Sequence, residues 1–196
     1  MSLTLGFLHD KVQQSAMAMI PEADRPAVHG LIGRHLLHRM TVEDQVDTYV
    51  FEICNQLNKA QGNLSPEESE ILIGLNLRAG RKALQSTAFD GATEFFGVAR
   101  NLLGGESWQR RRQLTLDVYL ANVERLFAAT EYADGIITLQ KALTIAIALV
   151  EEVLKHTLSP AESIPFLLKR LDCEMSMGNP GRAFVTGLRF DLEMCI

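Results

Sequence analysis

Apolar residues along this chain recur at the three- and four-residue spacing of helices that pack one face against a core. One such run consists of Leu116, Tyr119, Leu120, Val123, Leu126 and Phe127. β-Branched residues are dispersed rather than alternating, so strand signals are almost absent. The pattern predicts an all-α fold of about nine helices, over 4–20, 22–40, 42–59, 66–86, 88–103, 107–129, 132–155, 160–177 and 180–194.

Helix start and stop signals support these boundaries. The stretches Ser65-Pro66-Glu67-Glu68 and Ser159-Pro160-Ala161-Glu162 each offer a capping serine, a proline at the first helical position and an acid in the first turn. Ser107 is also expected to cap a helix. Gly104-Gly105 and Gly178-Asn179-Pro180-Gly181 are expected to end helices.

Three segments share an internal pattern of small and large residues. Phe89, Tyr132 and Pro180 align, and three residues later each segment has a small residue, followed in the first two by a large and a small one. The aligned small and large positions are Ala92, Phe96 and Ala99; Gly135, Leu139 and Ala142; and Ala183. Small residues let two helices approach closely, and the large one fills the groove beside them.

This pattern is typical of the second helix of a tetratricopeptide repeat. Gly80 lies where the first helix needs a small residue, and Gly178 is the turn glycine of the third segment, which has Gly187 in place of the large residue. The segments are 43 and 48 residues apart (132 − 89 and 180 − 132), whereas the standard repeat has roughly 34. The sequence therefore predicts an irregular tetratricopeptide-like solenoid of helix pairs, with a generic helical bundle as the alternative.

Composition narrows the range of functions. A formal net charge of −5 gives no electrostatic reason to bind nucleic acid or an anionic membrane. Three cysteines without CxxC spacing favour a reducing compartment, and Cys54 is expected in the core. No apolar run is long enough to span a membrane and no signal peptide is visible, so a cytoplasmic location is expected.

No catalytic motif is present in the sequence. His9 and Asp10 resemble the His-Asp pair of a metal phosphohydrolase, but adjacent helical residues point about 100° apart and cannot chelate one ion together. His35 and His38 share a helix face without a nearby acid. Nucleotide-binding, serine-hydrolase and zinc-protease motifs are missing. We therefore expect neither enzymatic activity nor a metal or cofactor.

Three stretches carry a resemblance to a known family. The opening FLHDKVQQSA matches a family motif at Phe7, His9, Asp10, Val12, Gln13, Gln14 and Ala16. The stretch IGRHLL matches at Ile32, Gly33, Arg34, Leu36 and Leu37, and LNLRAGRKA matches at Leu75, Asn76, Leu77, Ala79, Gly80, Lys82 and Ala83. Over residues 7–145 the chain resembles the large ATPase-bearing hybrid sensor histidine kinases of bacteria and fungi, and the related serine/threonine kinases.

The resemblance implies a place within a larger protein. In that family a signalling ATPase module of the AAA type precedes a tetratricopeptide-like region, and sensor and kinase domains follow. Residues 1–62 would be the helical end of the ATPase module, a winged-helix or arm-like seam, and residues 63–196 the helix pairs. The phosphate loop and the phospho-accepting histidine are absent, so we expect the chain to be a fragment, with Met1-Ser2-Leu3 as a cloning remnant.

The resemblance favours a non-catalytic regulatory and scaffolding segment that contacts protein partners. The apolar content also suggests that a second copy covers part of the surface. Two alternatives remain: a free-standing peptide-binding adaptor, or the helical sensor part of a signalling-ATPase transcription activator. An adaptor would need a carboxylate clamp, for which the candidates are Asn76, Arg81, Lys82, Asn122, Arg125, Lys169 and Arg170.

Overall fold

A computed structural model describes residues 15–39, 43–131 and 136–178. These residues form helices and the turns between them, with no strand, so the prediction of an all-α fold is confirmed. Two 3-10 helices, Glu22–Asp24 and Asn58–Asn63, accompany the α-helices. The α-helices of the described residues are α1 (Arg25–Arg39), α2 (Glu43–Leu57), α3 (Pro66–Gln85), α4 (Phe89–Leu103), α5 (Ser107–Arg110), α6 (Arg112–Glu131), α7 (Ile136–Leu154) and α8 (Pro160–Ser176).

The predicted boundaries agree with most of these helices to within a few residues. The helix predicted over 107–129 is an exception, because the chain leaves helical geometry at Arg111, with φ −137° and ψ 44°. Trp108, in the short helix before the break, stacks on His156 with ring centroids 4.5 Å apart. This contact between distant residues explains a break that no glycine or proline marks. The helix predicted over 180–194 lies outside the described residues, as does most of the one over 4–20, of which residues 15–18 are helical.

Some of the helix caps predicted from the sequence are present in the structure and others are not. At α3, Ser65 Oγ accepts from the Glu68 amide at 3.2 Å while the Ser65 amide donates to Glu68 Oε2 at 2.9 Å, which forms a capping box. Ser159 precedes α8 but makes no side-chain cap hydrogen bond. The prediction that Ser107 caps a helix is wrong, because Ser107 is the first residue of α5. Gly104 and Gly178 end α4 and α8 with positive φ values of 67° and 69°, as the stop signals predict.

The described residues up to Leu72 form one compact unit. In it, α1 packs against α2 and against the 3-10 helix Asn58–Asn63. Val50, Ile53 and Cys54 of α2 are fully buried, so the prediction that Cys54 is a core residue is confirmed. Burial raises the pKa of the Cys54 thiol to about 12.

The described residues from Ile73 onward form the second unit. In it, α6 packs against α4, α7 and α8, and α7 packs against α8. Its core includes the fully buried Val123, Val150, Val153 and Cys173. Of these helices, α6 contacts its sequence neighbours α5 and α7 and also the next-but-one helices α4 and α8. Contacts of both kinds are typical of stacked helix pairs. The solenoid itself and the predicted division at 62/63 stay predictions.

Candidate functional site

The stretch GLIGR, residues 30–34, contains two glycines that let α1 approach its neighbours. A Cβ atom added at Gly33 would lie 2.5 Å from Leu57 Cδ2 and 2.6 Å from Leu57 Cγ. A Cβ at Gly30 would lie 3.3 Å from the Cβ of Ala60. Both glycines are buried within a helix, whereas a phosphate-binding loop is a turn between a strand and a helix. This stretch is therefore a packing surface.

Arg34 joins α1 to the beginning of α3. Its Nε donates to Glu68 Oε1, and its Nη2 donates to Glu68 Oε2 at 3.1 Å and to the Asn63 carbonyl at 3.2 Å. Because Glu68 also completes the capping box with Ser65, the same carboxylate holds both the helix start and the arginine. The hydrogen bond from Arg34 and the one from the Ser65 amide lower the pKa of Glu68 to about 2.

We expect this carboxylate to make part of the stability dependent on acid pH. A depressed folded-state pKa stabilises the fold above the unfolded value near 4.5, and this stabilisation is lost as the pH falls toward about 2. Since the Glu68 side chain is 32% exposed, solvent screening keeps the effect small. Glu68→Gln should make the loss of Tm between pH 5 and pH 2 shallower, as measured by circular dichroism. Glu52→Gln, which removes an exposed acid of α2, should keep the wild-type profile; equal profiles for the two variants would contradict the assignment.

A second arginine makes the same kind of link in the other unit. Arg112 at the start of α6 donates through Nε to Glu162 Oε1 at 2.7 Å, and through Nη2 to Glu162 Oε2 and to the His156 carbonyl. Glu162 Oε2 also accepts from the Leu158 amide at 2.9 Å. The hydrogen bonds from Arg112 and Leu158 lower the pKa of Glu162 to about 2. Sequence reasoning missed this pair, although Glu68 and Glu162 each end a Ser-Pro-x-Glu stretch.

The repeat positions are only partly within the described residues. Gly80 and Phe96 are in direct contact, because a Cβ at Gly80 would lie 2.3 Å from Phe96 Cε1. Ala92, Phe96 and Ala99 are fully buried on α4, and Phe89 is half-buried at its first position. Gly178 lies in the turn after α8. Outside the described residues are Phe7, His9, Asp10, Gln13, Gln14, Tyr132, Gly135 and Ala183, together with the side chains of Leu139 and Ala142.

The candidate residues for a carboxylate clamp do not come together as a clamp. Asn76 and Asn122 are buried. The Asn122 amide donates to the Val118 carbonyl at 2.9 Å and to the Phe96 carbonyl at 3.4 Å, so it links α6 to α4. Arg170 donates to the buried carboxylate of Glu174 at 2.9 Å. These three side chains are therefore engaged within the fold.

The described histidines also have separate surroundings. His29 Nδ1 lies 2.7 Å from Gln56 Oε1, and His35 and His38 are exposed on α1. His156 stacks on Trp108 and lies 3.4 Å from a carboxylate oxygen of Glu152. Among the described residues, no group of three or more His, Cys, Asp or Glu side chains is placed to hold a metal ion.

A groove in the first unit has a cavity volume of about 430 Å³. Its lining combines apolar and nitrogen-bearing side chains, and consists of Met17, Ala18, Arg25, His29, Ile32, Gln56 and Lys59. Arg25 Nε donates to the Ile20 carbonyl at 3.1 Å. The described lining contains no nucleophile placed beside a base.

Comparison with known proteins gives one informative match. "Hybrid signal transduction histidine kinase G" of Dictyostelium discoideum is 29% identical to this chain, over 70% of the chain and 5% of the kinase. The chain is similar to a signal-transduction kinase. It spans about one twentieth of that kinase's length. No family model matches the chain, and neither does a solved structure.

The match agrees with the coarse part of the resemblance, a relationship to signal-transduction kinases. The described residues 30–34 make packing contacts and an ion pair. A search of the described helices also finds none with the length and apolar character needed to cross a membrane.

Proposed function

We propose that this chain is a non-catalytic regulatory and scaffolding segment of a signal-transduction kinase that also carries an AAA-type ATPase module. The observation that carries the proposal is the match to the hybrid kinase, which covers most of this chain but a small part of the kinase. Arg34, which lies in one of the motifs that carry the resemblance, adds support because it joins α1 to the first turn of α3 and so has a structural role.

In this proposal the tetratricopeptide-like helices transmit a signal through protein contacts. A protein partner binds the helical surface more tightly in one arrangement of the attached ATPase than in the other, and thereby shifts the equilibrium between them. The segment acts in the cytoplasm, and a second copy is an alternative partner. Nucleic acid is not among the proposed partners, because the chain is acidic and has no basic recognition helix.

The adaptor alternative has less support. A clamp for a peptide carboxylate requires exposed donors, whereas Asn76 and Asn122 are buried and Asn122 is bound to backbone carbonyls. The transcription-activator alternative differs from our proposal in the domains that flank the segment. The experiment below therefore distinguishes the two.

The coding sequence on either side of this segment tests the proposal. We expect a phosphate-binding loop upstream and a kinase domain downstream. A DNA-binding domain in place of the kinase would favour the activator, and a reading frame with neither ATPase nor kinase would favour the adaptor. The purified 196-residue chain should also hydrolyse no ATP and incorporate no phosphate from it; turnover that co-purifies with the chain and is abolished by His9→Ala or Asp10→Asn would overturn the proposal.

A further inference from the structure

Three residues on one face of α4 and one residue of α6 define a cationic site. Thr93, Gly97 and Arg100 are spaced i, i+4 and i+7, so they lie in a row along one side of α4. Arg125 of α6 reaches this row, because its Nη1 donates to Thr93 Oγ1 at 3.0 Å. The hydrogen bond orients the guanidinium group along the surface of α4.

The Arg125 guanidinium is incompletely satisfied. Its Nε is buried and has no hydrogen-bond partner among the described residues. Burying a donor without an acceptor costs free energy, so unsatisfied buried donors are rare in native structures. The Arg125 side chain as a whole is only half-buried, so an acceptor from outside the chain could approach its guanidinium group.

The positive charge of Arg100 also favours an anion near Arg125. Burial lowers the pKa of Arg125, and the positive charge of Arg100 lowers it further. Arg100 is exposed, and no carboxylate of the described residues forms an ion pair with Arg100 or Arg125. Two cations are thus held near each other without a counter-charge among the described residues, which is unfavourable unless an anion joins them.

Gly97 provides the space. A Cβ added there would meet no atom within 4 Å, whereas a Cβ at Gly80 would collide with the ring of Phe96. Gly97 is not needed for a close helix contact, so its role is not explained by packing. Its absent side chain leaves the surface of α4 open between Thr93 and Arg100.

We propose that Arg125, Arg100 and Thr93 form a binding site for an oxyanion, a carboxylate or a phosphate group, which lies above Gly97. The planar guanidinium groups match the paired oxygens of such anions. The Thr93 hydroxyl donates to the Phe89 carbonyl and accepts from Arg125, so its role is to position the Arg125 side chain. The site rests on this local geometry alone and does not depend on the proposed function of the segment.

Nuclear magnetic resonance tests the site directly. In ¹⁵N-labelled full-length chain, the Arg125 Nε–H resonance should shift and saturate as sodium phosphate or sodium acetate is added, and the two titrations distinguish the preferred anion. Sodium chloride at equal ionic strength should leave it in place. Arg100→Gln should weaken the apparent affinity by about threefold, as expected for loss of one solvent-exposed charge contact. Arg81→Gln removes an exposed arginine of α3 with the same change in net charge, and should not weaken it. Equal shifts with chloride, or equal weakening in the two variants, would overturn the proposal.

A tethered carboxylate provides an independent test. Gly97→Glu places an anion in the open space, and Gly97→Gln is its uncharged control with a similar helix propensity. At low salt the Glu variant should melt about 2 °C above the Gln variant, and added salt should reduce the difference. The Glu variant should also lose the response to phosphate and acetate. Identical melting temperatures combined with wild-type anion binding in both variants would exclude this location.

Discussion

Phe96→Ala should lower the free energy of unfolding by about 3–5 kcal/mol, as expected when a large buried aromatic side chain is removed and a cavity remains. Phe96 is fully buried and is among the largest fully buried side chains of the described residues. Its ring lies against the backbone of α3 at Gly80, where no side chain is available to collapse into the space. Urea denaturation measures the change as a lower midpoint at an unchanged slope.

Phe89→Ala is the matched control for this variant. It removes the same atoms from the half-buried first position of α4, so its cost should be about half as large or less. If the two variants were equally destabilised, Phe96 would not be the central packing residue of this helix pair.

Gly80→Ala and Gly74→Ala should change stability in opposite directions, although both replace a glycine inside α3. At Gly80 the new methyl group would lie 2.3 Å from Phe96 Cε1 and 2.5 Å from Cδ1, and overpacking of this kind costs about 1–3 kcal/mol. At Gly74 a methyl group would meet no atom within 4 Å, so the lower backbone entropy of alanine should stabilise the chain by about 0.5–1 kcal/mol. Urea denaturation of the pair measures both signs.

A smaller side chain at position 96 should relieve the collision with a methyl group at position 80. In a Phe96→Leu background the penalty of Gly80→Ala should become smaller, because leucine leaves room for the added methyl group. A penalty that stays the same in both backgrounds would show that Gly80 is required for its backbone conformation and not for its contact with Phe96.

Sequence reasoning located the helices because their signals are local. The Ser65-Pro66-Glu67-Glu68 stretch contains all the groups of the capping box that starts α3. Gly104 and Gly178 adopt the positive φ values that end helices, and glycine adopts them at little cost. The apolar spacing of α4 also placed Ala92, Phe96 and Ala99 on one face, and all three are buried.

The links between helices required the tertiary structure. Arg34 and Glu68 are 34 residues apart, and Arg112 and Glu162 are 50 apart, so no local pattern identifies either partner. The break at Arg111 likewise accompanies a stacking contact between Trp108 and His156. In each case the deciding interaction forms only after the intervening helix has folded back.

The proposed oxyanion site also depends partly on local sequence and partly on tertiary contacts. The sequence by itself determined that Arg125 is one of several cations on amphipathic helices, and that α4 contains a glycine at position 97. It could not distinguish Arg125 from Asn122, which the fold buries against backbone carbonyls. Only the packing of α6 against α4 decided that Arg125 would reach Thr93 and that its buried Nε would have no hydrogen-bond partner among the described residues. Helix periodicity depends on neighbours three and four residues away, whereas burial and charge pairing depend on residues that are distant in sequence and meet only in the folded chain.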